Sequence, residues 1–153
     1  SRGARAVLDA DGPCLKSGLR AKPFAIKPNV NELRRLTGKP LGSEAAILRA
    51  VEPVHHAGVE VVIVSRGSNG ILLIGPQERY RATPPPVTVR STVGAGDSAV
   101  AGFVFTHAAG KGLEACARIA TAAGTAATLA PGNQLCRMDD VRRLAPKVKV
   151  VSF

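Results

Sequence analysis

The chain is short of aromatic residues. Among its 153 residues there is no Trp, one Tyr and four Phe, so aromatics make up 3%. Hydrophobic residues still reach 45%. A core is therefore within reach, but it must be aliphatic and alanine-rich. The same shortage removes the stacking platform that a single-strand nucleic-acid binder needs. Cysteine is scarce and odd in number: Cys14, Cys116 and Cys136, with no C-x-x-C pair. That excludes a disulfide framework and a structural zinc site, and it fits a reducing, cytoplasmic setting. No apolar run has the length of a membrane span. The opening "SRGARAVLDADG" carries an apolar run too short for a secretory leader. Acidic residues are also few, 11 against 21 Lys and Arg, for a net charge of +10. The cations are scattered, with pairs such as Arg34-Arg35 and Arg142-Arg143 on expected helix surfaces. Solvated helix faces, or attraction of phosphorylated substrates, explain the excess better than a nucleic-acid partner, and no membrane partner is expected.

What is present is an alternation of strands and helices. "RAVLDADG" and "KPFAIKPN" hold two short strands, the second stopped by Pro28. "NVNELRRLTGKP" reads as a helix ended by Gly38 and Pro40. "SEAAILRAVEPVHHAG" reads as another, capped by Ser43, with Ile47, Leu48, Val51 and Val54 as its stripe and a kink expected at Pro53. "VEVVIVS" suits a strand buried on both faces of a parallel sheet, and "RGSNG" leads into a partner strand, "ILLIG". The polar, proline-stiffened stretch from Gly75 to Pro86 reads as an extended connection. "STVGAGDSAVAGF" opens a helix ending near Gly110. "GLEACARIATAAGTAATLA" is a long helix of small residues closed by Pro131-Gly132, and "MDDVRRLAP" a last short one. This pattern predicts an α/β fold: three layers, a mostly parallel sheet with helices on both faces. The chain opens almost at once on a buried-looking strand, so the sheet is either small or the back part of something larger.

Three strings carry chemistry. In "STVGAGDS", Gly94, Ala95 and Gly96 precede Asp97 at a helix start. Bare backbone lets a ligand approach closely, and the free N–H groups and helix dipole favour an anion there. The plain alternative is a tight turn with Asp97 as N-cap. A carboxylate beside an anion hole can accept the proton of an attacking hydroxyl while the hole holds a phosphoryl group. In "KPNVNE", Asn29 and Glu32 have the spacing of a capping box. The functional alternative has Lys27 and Asn29 facing phosphate and Glu32 ordering hydrated magnesium, an ion that needs few protein ligands. In "SRGSNG", Ser65, Gly67 and Gly70 form either a hairpin turn or a ligand loop at the carboxyl edge of a sheet. His55 and His56 lack a third ligand at metal spacing and read as surface residues. His107 ends a helix, where a cation suits the dipole. No serine has a credible histidine-acid pair, so a hydrolase triad is unsupported.

Taken together and in this order, "KPNVNE", "SRGSNG" and "STVGAGDS" resemble the ribokinase-like (pfkB) carbohydrate kinases. "PPPVTVRSTVGAGDS", "AAGTAATL" and "LC" before "MDDV" are similar to the family's phosphosugar branch, over nearly the whole chain. The resemblance implies ATP-dependent phosphorylation of a sugar phosphate such as fructose 6-phosphate, with fructose 1-phosphate and tagatose 6-phosphate as alternatives. It makes Asp97 the catalytic base and the N–H groups of Gly94, Ala95 and Gly96 the anion hole. It sets Lys27 and Asn29 toward the ATP phosphates, Glu32 toward magnesium, and Ser65, Gly67 and Gly70 on the nucleotide loop. Thr121 and Thr125 would sit near the adenine. A potassium ion, bound by some members, would fall to Ser91, Val93, Ala127, Ala130, Gly132 and Gln134. The resemblance also makes residues 1–153 the carboxy-terminal, ATP-binding half of such a kinase, without its sugar-binding part and lid. The fragment is then expected to be inactive alone, and the full-length protein a homodimer. The reading from another class is a non-catalytic nucleotide-binding or structural fragment.

Overall fold

The computed structural model describes residues 3–132 and 134–153. Six strands form one mixed sheet, ordered in space as they are in the chain. The chain divides into two compact units, one running to Arg66 and taking in Ile74–Gln77, the other holding Gly67–Leu73 and Glu78 onward.

The first unit contains β1 (Val7–Leu8), α1 (Gly12–Gly18), β2 (Ala25–Ile26), α2 (Val30–Thr37), α3 (Glu44–His56) and β3 (Val61–Ser65). β1, β2 and β3 pair in parallel, with Val7 beside Ala25 and Ala25 beside Val61. Strands flanked by helices in this way read as continuous apolar runs, and Val61 to Val64 are indeed all buried. Leu15, Leu33, Ile47, Val51 and Val54 bury against them. On α3 the inward stripe takes Ala50, while Leu48 is only half-buried. The helix runs through Pro53 to His56. Proline has no N–H for the carbonyl four residues back, and that carbonyl, of Arg49, accepts instead from Lys39 Nζ at 3.4 Å. His55 is not the plain surface residue expected: its Nδ1 lies 2.8 Å from the Val59 carbonyl, and its Nε2 is buried without a partner.

The second unit contains most of β4 (Ile71–Ile74), then β5 (Arg79–Thr83), α4 (Ala95–Ala108), α5 (Leu113–Ala127), α6 (Met138–Leu144) and β6 (Lys149–Ser152). β5 corrects the expected connection across residues 75–86. It pairs antiparallel with β6, Tyr80 beside Ser152 and Thr83 beside Lys149. Neither strand has a hydrophobic run long enough to announce it; each is fixed by the other's backbone. α4 and α5 pack closely because Gly102 and Gly124 leave room. A Cβ on Gly102 would lie 3.0 Å from the Ile119 carbonyl, and one on Gly124 would lie 3.1 Å from that of Ala95. Small residues thus trade side-chain bulk for backbone approach. Cys116 is fully buried at this contact, and burial pushes its thiol pKa up.

Candidate functional site

The carboxyl ends of β1, β2 and β3 gather polar residues. Lys27 follows β2 and is itself buried, yet its ammonium meets Asp9 Oδ2 at 3.1 Å. Asp9 follows β1 and is about one-third exposed. Sequence reading passed over Asp9, although an acidic residue at the end of the first strand was the available signal. Asn29 forms an isolated parallel bridge with Ser65, whose N–H donates to the Pro28 carbonyl at 3.0 Å. Lys27, Asn29, Glu32 and Ser65 are therefore brought together at one sheet edge, the position at which open α/β sheets hold ligands.

The capping box read from the sequence is complete. Asn29 Oδ1 accepts from the Glu32 N–H at 2.9 Å. Glu32 Oε2 accepts from the Asn29 N–H at 2.8 Å, and Oε1 from Asn29 Nδ2 at 2.6 Å. Both Glu32 oxygens are thus held by Asn29, each with lone-pair capacity left for a hydrated cation. Among the described residues no cluster of three or more acidic, His or Cys side chains forms a metal cage. A magnesium ion here would keep most of its water. Glu32 also lines a cavity of about 280 Å³ with Gly12, Pro13, Lys16, Arg35 and Leu36.

The second unit holds the glycine loop, and here one expectation is corrected. The N-cap of α4 is Gly94, at φ +76, and no side chain caps the helix. Asp97 is not the cap but the third helical residue, exposed, with no bonded partner for its carboxylate among the described residues. The reason lies in Gly94: its left-handed conformation turns the chain into the helix one step earlier than a capping aspartate would. The helix start is then bare, with nothing within 4 Å of the space above Gly94. Of the three N–H groups assigned to the anion hole, that of Ala95 makes a long bond, 3.3 Å, to the Thr92 carbonyl.

The potassium residues are partly assembled. Ser91 Oγ donates to the Gly132 carbonyl at 2.6 Å and accepts from the Val93 N–H at 3.2 Å. The Ala127 carbonyl already accepts from the Ala130 N–H at 3.2 Å, and Gln134 bonds back to Pro131 at 3.5 Å. Ser91, Val93 and Gly132 meet; a convergence of all six oxygens is not seen. The hard oxygen donors suit a potassium ion chemically.

On α5, Thr125 Oγ1 donates to the Thr121 carbonyl at 2.7 Å. Thr121 is 4% exposed, and its hydroxyl is buried without a partner. Buried hydroxyls are ordinarily bonded, so this one fits a ligand atom that the polypeptide does not supply. In the "SRGSNG" loop, Gly67–Asn69 form a 3-10 turn. Gly70, at φ +77, has a structural requirement of its own: a Cβ there would lie 2.0 Å from the Ala82 carbonyl.

Comparison with known proteins meets this geometry. The model of the pfkB family carbohydrate kinases matches residues 3–140, and the chain belongs to that family. It is 36% identical to the 1-phosphofructokinase of Borreliella burgdorferi, over 98% of this chain and 48% of the relative. It is 34% identical to the ATP-dependent 6-phosphofructokinase isozyme 2 of Escherichia coli, over 94% and 47%. It superposes with a TM-score of 0.90, at 34% identity, on the crystal structure of Escherichia coli phosphofructokinase-2 in complex with potassium, covering 95% of this chain and 48% of that one. The fold is the ribokinase-like α/β fold, incomplete. The chain spans about half the length of the curated relatives it matches.

Proposed function

We propose that this chain is the nucleotide-handling, base-bearing half of a kinase that phosphorylates a hydroxyl of a sugar phosphate. The observation that carries the proposal is the bare start of α4: no side-chain cap, open space above Gly94, and Asp97 one turn in with an unengaged carboxylate. A carboxylate that stabilises nothing in the fold is available for proton transfer.

ATP, when bound, supplies the phosphoryl group. The N–H groups of Gly94, Ala95 and Gly96 hold the anionic group, the long Ala95 bond to Thr92 being readily exchanged. Asp97 accepts the proton of the acceptor hydroxyl. Lys27, steadied by Asp9, places positive charge at the sheet edge, and the Asn29–Glu32 box fixes the carboxylate offered to hydrated magnesium. Thr121 and Thr125 flank the base of the nucleotide, and Gly67 and Gly70 shape the loop beside it. Ser91, Val93 and Gly132 form the nucleus of the potassium site, which Ala127, Ala130 and Gln134 complete. The names of the relatives favour a fructose phosphate as acceptor, 6- or 1-phosphate.

The chain alone is expected to release no ADP with either phosphate above the no-acceptor background. Joined to the half its relatives carry, it is expected to do so. There Asp97→Asn should lower kcat by about 10²- to 10⁴-fold, the ordinary worth of a positioned base, with ATP affinity unchanged. Turnover within threefold of the parent sinks the assignment.

A further inference from the structure

α4 has two faces that ought to differ and do not. Its inner face, with Ala99, Gly102 and Phe103, is buried. Its outer face runs through Asp97, Ala101, Val104, Phe105 and Ala108, all exposed, with Val104 at 43% and Phe105 at 66%. The spacing of four, three, one and three residues is one stripe of a helix. From Ser98 to Ala108 the only ionisable side chain is His107, which stacks on Phe103, ring centroids 5.8 Å apart. The outward positions of α3, by contrast, include Arg49 and Glu52. A helix that is apolar all round is built to be covered on both sides. Single exposed apolar residues elsewhere, such as Leu135 and Val89, are ordinary.

We propose that the outer face of α4 is a docking surface for the half of a pfkB chain that this chain does not match. Two observations choose that occupant. Relatives that this chain matches over 98% of its own length are about twice as long, 48% of the relative being covered. The stripe is also too small for a second copy to bind by it alone. Fourteen residues make a strip about 21 Å long and roughly 10 Å wide, on the order of 200 Å², against about 800 Å² per partner in a standard interface. A covering segment that continues over neighbouring surface meets that need. Asp97 heads the same stripe, with Phe105 about 12 Å along the axis. What covers α4 therefore lies beside the carboxylate and brings the acceptor hydroxyl with it. This rests on the reading of Asp97 given above, but docking is measured without turnover, so the two fail separately.

The test is thiol labelling at position 105. Phe105→Cys is made in a Cys14→Ser, Cys136→Ser background, Cys116 being buried. Its rate with a maleimide is compared in the chain alone and in the chain joined by a flexible linker to the unmatched half of the Borreliella 1-phosphofructokinase. Joining is expected to slow labelling at least tenfold, while Glu52→Cys on α3 labels equally in both. An unchanged rate at position 105 overturns the proposal. So does slow labelling in the chain alone that quickens on dilution, which would make the occupant a second copy. Phe105→Lys in the chain alone should lower hydrophobic-dye binding at least twofold without lowering the melting temperature. A fall of several degrees would show the face already covered from within, and overturns it as well.

Discussion

α2 and α4 begin in opposite ways. Each has an acidic residue three places into the helix, Glu32 in one and Asp97 in the other. Glu32 reaches back to Asn29 and completes a box of three hydrogen bonds. Asp97 is one methylene shorter, follows a glycine instead of a capping side chain, and bonds to nothing described. The same charge at the same helical position is used for structure in one place and left for chemistry in the other. Glycine at the cap makes the difference, because it both admits φ +76 and withholds the oxygen that would satisfy the helix.

The comparison breaks most visibly at Asp97. Asp97→Asn should lower turnover of the completed enzyme by orders of magnitude while leaving the melting temperature of this chain unchanged. A loss of several degrees with turnover intact would reverse the two roles. Gly94→Ala comes next. Its Cβ would meet nothing within 4 Å, so the cost is conformational alone, roughly 1–2 kcal/mol for a left-handed non-glycine residue. Denaturant melts should show it, and a neutral result would mean that the loop relaxes freely. Asn29→Ala is smaller. It removes a cap worth about 1 kcal/mol, and melting should fall by about 2–4 °C for a domain of this size.

Legibility followed the local character of each feature. The α2 box, the caps at Ser43 and Gly38 and the β3 run could be read because residues within a few positions of one another determine them. Asp97 as N-cap could not be settled: a G-x-G-D string permits the turn to close at Gly94 or later, and only the backbone path decides. β5 and β6 were missed because each depends on a partner some seventy residues away, and "RYRAT" has no apolar alternation of its own. α1 was missed because its seven residues hold two glycines and a proline; Asp11 caps it and Leu15 anchors it. Asp9 escaped because its role exists only through Lys27, on the next strand. The site was thus legible as motifs and not as pairings.

A third helix start sharpens the comparison with the smallest effect. Asp11 caps α1, its Oδ1 accepting from the Gly12 N–H at 2.6 Å, and its Oδ2 meets Arg35 Nη2 at 2.6 Å. It is a structural carboxylate like Glu32, but exposed like Asp97. The hydrogen bond from Arg35 holds its pKa below the ordinary carboxylate value. A carboxyl whose folded pKa is depressed contributes stability above its unfolded pKa, about 3.9, and that contribution is lost as pH falls through the folded value. Asp11→Asn keeps a capping oxygen and removes only the charge. Its melting temperature should therefore sit slightly below the parent's above about pH 5, and the gap should close as pH falls below about 4. A gap that persists at pH 2 would mean that Asp11 acts through its cap and not through Arg35. A larger gap than that of Asn29→Ala at neutral pH would mean that an exposed pair outweighs a half-buried box, against the general weakness of solvent-screened ion pairs.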